Sequence, residues 1–538
     1  MCFSPKSGRI TLLQKLASAA PPPARTLRPH WQGRRDLLRL GREETPVPAD
    51  PGSLLITAQD VRHALVCARR VWLDAHGDPA LRDEAAPETA RAFALGVQHE
   101  ASVLAAVGAA VEYLPVESWA HGVALTRRLM ARGVPGIAGA CLEHRAPLDL
   151  TDRLFTVRGR PDRLVRIAYA GTQVYAPVEI KRRRDPEAPD WAQLDLYAWL
   201  LSQVQGITPP GELWLGATDL GAPARREPHE YDEDRLMDAL LRAVAALGAP
   251  EAPPVRLEAH CKTCPWQTTC RAAAEREESL DLLYNVTRAA RDGLAAAGLA
   301  RLADIAACAP EDLLAVRGIG PATAPRLRAN AQALVERRPV WYGALPGDLR
   351  RGGWMFDLET YQARGKTVPW CMGWCDTAGA TQIALVAPVQ LPEPLTLPDG
   401  QRLTLVPDSD TAWEVLAEAV AAQAGPICHW TGYDAAILRG SAPAAALAGL
   451  EPRMFDLHAA FKGAVSLPLP STSIKVVSAY LGFVWPENPD WFAAYLDYQF
   501  WLESGDEVAL ARACAYQRAD VQSMAWVWRW LMANDPAR

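Results

Sequence analysis

Between Val174 and Lys181 the chain reads VYAPVEIK, in which Val174, Ala176, Val178 and Ile180 alternate with Tyr175, Pro177, Glu179 and Lys181. A period of two fits a β-strand, so Glu179 and Lys181 leave the backbone on one face. Upstream, RGRPDRLVRI puts Asp162 behind a Gly-Arg-Pro turn signal, in the preceding strand or at its exit, within reach of that face. Carboxylates and an amine converging on one spot suit divalent-metal phosphodiester hydrolysis. Hard oxygens hold Mg²⁺ or Mn²⁺, the metal polarises the phosphate and lowers the pKa of a bound water, and the lysine orients that water. Surface strands carry such charges routinely, so the pattern has to be weighed with its context.

That context begins with Gln193 and Tyr197, which fall at i and i+4 of a helix whose Leu194, Leu196 and Leu200 are apolar. The series G-R-P-D, E-I-K, Q-x-x-x-Y resembles the PD-(D/E)XK nuclease superfamily in its RecB-like branch. Gly96-Val97-Gln98-His99-Glu100 resembles that branch's helical G-x-x-H-E motif. The resemblance implies that His99, Asp162 and Glu179 are metal ligands and Lys181 the catalytic lysine, with Gln193 and Tyr197 contacting DNA near the cut. On its own residues, His99 reads as a partly buried helix histidine.

With 538 residues the chain has room for about three domains. A hydrophobic content of 49% and a charged content of 22% are ordinary for a globular protein. No run of eighteen or more uncharged apolar residues occurs, so no membrane span is expected. The net charge of −6 argues against coating nucleic acid by bulk charge, but not against local strips such as Arg158, Arg160, Arg163 and Arg166, or Lys181 to Arg184. Eleven cysteines without a secretory signal point to a reducing, cytoplasmic setting. Residues 1–52 are basic, Pro-rich and without sustained periodicity, and are expected to be a disordered tail.

HCKTCPWQTTCR supplies Cys261, Cys264 and Cys270, spaced C-x2-C-x5-C, and a closed tetrahedral site needs a fourth thiolate, for which Cys67 is the candidate. This layout is similar to the iron–sulfur RecB-type nucleases and implies a [4Fe–4S] cluster that staples the first helix to the end of the domain. Structural Zn²⁺ stays open, on the same cysteines or with His260 replacing one. The remaining cysteines, Cys371 and Cys375 included, read as ordinary thiols.

A helical stretch runs from Leu294 to Glu336. Its Leu313–Gly320 segment, LLAVRGIG, continued by Ala322, Ala324 and Leu327, resembles a helix–hairpin–helix. Gly318, Ile319 and Gly320 would form a tight turn whose N–H groups bind a DNA phosphate without reading sequence. The plainer reading is a hairpin used for packing.

Beyond Pro339 the pattern returns to strands. Trp354-Met-Phe-Asp357-Leu-Glu359 puts both acids on one face, and a second strand is expected over Thr381 to Val386. Pro426–Trp430 leads into Gly432-Tyr-Asp434-Ala-Ala-Ile-Leu438, and Tyr516 and Asp520 lie one helical turn apart. The order D-x-E, Y-D-x-x-x-L, Y-x-x-x-D is similar to the RNase H-like DEDDy 3′–5′ exonucleases. It implies Asp357, Glu359, Asp434 and Asp520 as ligands of two metals, with Tyr516 orienting the attacking water. Asp456 and Lys475 read as structural, with an accessory role as the alternative.

The fold class is therefore α/β multidomain. A restriction-endonuclease-like PD-(D/E)XK domain with the four-cysteine site is expected over 53–278, a small all-α helix–hairpin–helix over 279–340, and an RNase H-like domain over 341–538. The layout resembles a family of bacterial RecB-like nucleases, some of which continue into a superfamily 1 helicase. No G-x-x-x-x-G-K-[ST] occurs here, so any unwinding falls to a separate helicase, or the DNA is single-stranded or has frayed, free ends. The function expected is a Mg²⁺- or Mn²⁺-dependent DNA nuclease working in repair, recombination or defence. The alternatives are a DNA-binding scaffold with one decayed centre and an RNA 3′-end exonuclease acting through the C-terminal domain.

Overall fold

The structure is a computed structural model that describes residues 54–107, 112–114, 117–147, 154–216, 223–284, 286–363, 366–486 and 491–537. The expected tail over 1–52 lies outside the described residues. The chain divides into two compact units, one running to Arg62 and resuming over Ser102–Asp238, the other made of His63–Ala101 and Ala239–Arg538.

In the first unit the strands are β1 (Leu54–Thr57), β2 (Glu112–Tyr113), β3 (Gly136–Ala138), β4 (Leu142–Pro147), β5 (Leu154–Gly159), β6 (Arg163–Tyr169), β7 (Thr172–Lys181), β8 (Gly211–Leu215) and β9 (Arg225–His229). They make a six-stranded sheet of order β2-β3-β6-β7-β8-β9 and a three-stranded sheet of order β1-β5-β4. β6 and β7 pair antiparallel with Arg163 opposite Val178, and β7 runs parallel to β8 with Glu179 opposite Leu213. The alternation in β7 therefore sets its register, but neither face is wet. Val174, Tyr175, Ala176, Val178, Glu179 and Ile180 are each no more than 7% exposed. β7 lies mid-sheet, with Val103, Leu104 and Trp214 packed on its apolar side. The helix Ala188–Gln205 packs along it as well.

That helix is pinned at its first turn by Asp190, which is 0% exposed. The Asp190 carboxylate accepts from the Glu187 N–H at 2.9 Å, from Arg62 at 3.4 Å and from Arg183. One turn on, buried Asp195 accepts from Arg235 at 2.5 Å and is paired with His229 at 2.7 Å. Gly159 explains how the helix comes so close. A Cβ there would meet the side chains of Leu200 and Tyr197 at 2.7 and 2.8 Å, less than any side chain tolerates.

In the second unit the helix Ala68–His76, which Cys67 precedes, is docked on a segment far along the chain. Trp72 donates to the Ala249 carbonyl at 3.0 Å, Arg69 to the Pro253 carbonyl at 2.6 Å, and Trp266 to Asp74 at 3.0 Å. One apolar core then runs from Val255, Ala273 and Ala274 through Leu294 and Ile305 to Leu313, Ile319 and Leu327. The cysteine segment and the helical stretch thus share a core, with no break in packing at 278/279. A short pairing of β10 (Val340–Trp341) with a strand at Val465–Ser466, and a 3.0 Å bond between the hydroxyls of Tyr284 and Ser466, join this helical layer to the C-terminal part of the unit.

The C-terminal part is built on β11 (Trp354–Ala363), β12 (Lys366–Asp376), β13 (Thr381–Val386), β14 (Glu393–Thr396), β15 (Arg402–Val406), β16 (Ile427–His429) and β17 (Met454–Asp456), in the order β14-β15-β13-β12-β11-β16-β17. β11 pairs antiparallel with β12 and parallel with β16. Trp354, Phe356 and Leu358 enter a core with Trp413 and Leu416. Asp357 and Glu359 leave on the opposite face, against which the long helix Glu507–Asn534 packs. Cys371 and Cys375 are buried on β12, as packing thiols should be.

Candidate metal centres

In the first unit Asp162 sits on the bend just before β6, where its Oδ2 accepts from the Ile180 N–H at 2.8 Å. That bond ties Asp162 to the strand that carries Glu179 and Lys181. Glu179 is 3% exposed; its Oε1 accepts from Lys181 Nζ at 2.5 Å, while Oε2 is buried without a hydrogen-bond partner. A buried carboxylate oxygen left unpaired is costly unless something binds it. A divalent ion is the kind of ligand an Asp/Glu pair with an unfilled oxygen accepts.

Gln193 and Tyr197, expected at a nucleic-acid surface, lie beneath this site instead. They are 7% and 1% exposed. Gln193 Nε2 donates to the Tyr197 hydroxyl at 2.6 Å, and that hydroxyl donates to the Arg160 carbonyl at 3.2 Å. Burial, then the charges of Glu179 and Asp162, push the Tyr197 phenol well above its ordinary pKa, so it stays a neutral donor. The pair therefore props the turn that carries Arg160 and Asp162. His99 is half-buried on the helix Pro87–Ala106 and falls in the other unit's share of the chain.

The arginine strips are largely engaged within the protein. Arg158 donates to Glu143 at 2.8 Å, Arg166 to the Gly133 carbonyl at 3.1 Å, and Arg183 to Asp190. Arg163 is 8% exposed, with its guanidinium over the Trp214 ring. Arg182 and Arg184 are exposed to solvent.

In the second unit, acidic groups from distant parts of the chain meet. One ligand oxygen each from Asp357, Glu359 and Asp520 lies within 4.8 Å of the others. Asp434, 4% exposed at the start of the helix Gly432–Ser441, accepts from the Leu358 N–H and feels the charges of Asp357 and Asp520. Burial pushes Asp357 up to about 7 against the opposing effect of Gln517 and Lys475. Burial and then neighbouring carboxylates hold Glu359, Asp434 and Asp520 well above the usual range. Like charges gathered this way repel until a cation joins them, so the donor set fits divalent ions. Tyr516 hydrogen-bonds to Asp520, and burial followed by the acids' field raises its pKa, keeping the phenol protonated.

One participant was not legible in the sequence. Gln517 is 0% exposed and donates to the Asp357 carbonyl at 3.0 Å and to its Oδ2 at 3.1 Å. The position is open because the residue opposite Asp357 on β12 is Gly373; a Cβ there would meet Gln517 at 2.8 Å. Beside the β-bulge at Glu359/Thr360, the Tyr433 hydroxyl bonds that of Thr360 at 2.8 Å. Asp456 caps the helix Leu457–Ala464 by accepting from the Ala459 N–H at 2.7 Å.

Cys67, Cys261, Cys264 and Cys270 come near enough for their charges to act on one another. Burial raises the pKa of Cys261, Cys264 and Cys270, while Arg69 beside Cys270 and Arg70 beside Cys264 pull the other way. Burial thus outweighs the guanidinium groups and favours the thiol form in the protein alone, and a bound metal would be needed to draw these sulfurs as thiolates. At the helical turn, Gly318 has a φ of 89° and Ile319 is 6% exposed inside the core. The Ile319 side chain is therefore an anchor, and only main-chain groups of this turn remain available to a phosphate.

Residues 53–271 match the family model of the PD-(D/E)XK nuclease superfamily, and residues 354–532 that of the RNase H superfamily. No curated protein matches the chain. A solved structure titled "Crystal structure of SSO0001" is 17% identical, with 45% of this chain and 93% of that chain covered and a TM-score of 0.25.

Proposed function

We propose that this chain, which carries two nuclease-superfamily domains, is a metal-dependent DNA nuclease with two hydrolytic centres that acts on single-stranded or frayed ends. The observation that carries the reading is the meeting of Asp357, Glu359 and Asp520 within 4.8 Å, with Tyr516 bonded to Asp520. In the front centre Asp162 and Glu179 would hold the ion and Lys181 would orient the attacking water. In the back centre Asp357, Glu359, Asp434 and Asp520 are the ligands. Mg²⁺ or Mn²⁺ held there supplies Lewis acidity and a lowered water pKa. The protonated Tyr516 phenol positions the attacking water, and Gln517 fixes the Asp357 carboxylate. The place of Asp434 beside Asp357 and Asp520 speaks against a decayed back centre.

Between the centres in sequence, the Gly318–Gly320 turn is assigned to phosphate binding through its N–H groups, giving a hold on DNA that does not read sequence. The four cysteines are assigned a [4Fe–4S] cluster, with Zn²⁺ as the competitor. A separate helicase is the partner that would supply single strands, in repair, recombination or defence. The test is Mn²⁺-dependent degradation of end-labelled single-stranded DNA, with RNA of the same sequence as competitor. Glu179→Ala and Asp357→Ala should each remove part of the activity, and together all of it. Cleavage unchanged in the double variant would refute the assignment, and preference for RNA would move the back centre to RNA 3′ ends.

A further inference from the structure

Lys475 lies in the helix Ile474–Tyr480, outside the acidic motifs, and its ammonium lies over two aromatic rings. Its Nζ is 4.9 Å from the centroid of Tyr516 and 5.8 Å from that of Trp485. The first ring belongs to the phenol that bonds Asp520. The second is fixed by its own N–H, which donates to the Ser478 hydroxyl at 3.0 Å on the same helix as the lysine. Two cation–π contacts restrict a side chain that otherwise loses considerable rotamer freedom when it is ordered. The charge of Lys475 is felt by Asp357, Glu359 and Asp520.

From this geometry, and resting on the nuclease reading of the back centre, we propose that Lys475 is a further catalytic residue that holds the scissile phosphate. Charge balance favours it. Divalent ions neutralise the carboxylates, and a phosphodiester then brings one more negative charge into a partly desolvated site. The lysine supplies the matching positive charge, one that Asp357, Glu359 and Asp520 all feel, on a side chain held by ring contacts before substrate arrives. No bond to lysine forms or breaks; water forms a new P–O bond and gives up a proton to solvent, the P–O3′ bond opens and its oxygen takes up a proton, and Lys475 stabilises charge on the non-bridging oxygens. The competing role is structural, a counter-ion for the carboxylates when no metal is bound. That role predicts that removing the charge tightens divalent binding and leaves turnover alone.

The test uses the full chain with Glu179→Ala, so that only the back centre cuts, and adds Lys475→Met, Lys475→Arg or Asp357→Ala. Turnover of a 3′-labelled single strand is measured at saturating Mn²⁺, and Mn²⁺ affinity is measured separately by calorimetry. Lys475→Met should keep or tighten Mn²⁺ binding while kcat falls about 100-fold, the loss seen when one donor to a developing charge is removed. Lys475→Arg, which keeps the cation, should recover part of that loss and shows that the helix still folds. Turnover of Lys475→Met within twofold of its parent, with Asp357→Ala inactive, would overturn the role of the lysine alone. If Asp357→Ala cuts as its parent does, or neither cuts, the nuclease reading of this centre falls and the lysine's role with it.

Discussion

At the scale of single residues, the back centre is held in an expensive electrostatic state. Asp357 sits at about 7 because burial disfavours its charge, and Glu359, Asp434 and Asp520 are raised beside it. A carboxylate has a pKa of about 4 when unfolded. The folded state therefore binds more protons between those values, and the stability this contributes is present below about pH 4 and lost as the pH rises through about 7. Protein stripped of divalent ions should melt at a lower temperature at pH 8 than at pH 6, and Mn²⁺ should reverse most of the difference. Asp357→Asn should raise the melting temperature of stripped protein at pH 8; a flat pH profile would contradict the coupling. Gln517 acts one step back. Gln517→Leu keeps the volume and removes the donor to Asp357, and should weaken Mn²⁺ binding or turnover by roughly 10–100-fold, the usual loss for a partner of a metal ligand. Titration with Mn²⁺ followed by calorimetry checks it.

At the scale of elements, the helix Ala188–Gln205 decides where the front centre sits. It is fastened by Asp190 at its start and by Asp195 to His229 and Arg235, and seats Tyr197 against Gly159. Gly159→Val should push Tyr197 and Leu200 outward and destabilise the protein by roughly 1–3 kcal/mol, the range for overpacking a close contact. Urea unfolding followed by circular dichroism measures this, and an unchanged midpoint would show that the helix shifts at no cost. The strand periods were legible: Thr381–Val386 forms the strand expected of it, and the placement of Asp357 with Glu359 on one face follows from alternation alone. The burial of Gln193 and Tyr197 was not, because a polar i, i+4 pair looks the same whether it meets solvent or props a turn. Nor was Gln517, whose partner is fixed by a glycine on the neighbouring strand, 144 positions away by number (517 minus 373). Long-range register carries that information and local pattern does not.

At the scale of the whole molecule, the two compact units cut across linear order. The segment that begins at His63 belongs with the chain after Ala239, so the four cysteines and the helical turn share one unit with the back centre. Hydrogen bonds from Arg69, Trp72 and Trp266 already join positions up to 192 residues apart. A bound cluster would close the same long loop covalently, and closing long loops restricts the unfolded chain most. Cys67→Ser should therefore lower iron or zinc content and lower the melting temperature, with metal analysis by mass spectrometry as the check; full metal content would remove Cys67 from the site. The described helices include none long and apolar enough to cross a membrane.

The positions of bound divalent ions test the two-centre nuclease most directly. Crystals of the chain soaked in Mn²⁺ and measured at the manganese absorption edge would locate them. Anomalous density is predicted at Asp357, Glu359 and Asp520, and a separate peak at Asp162 and Glu179. Manganese found elsewhere, with both carboxylate groups bare, would contradict both assignments.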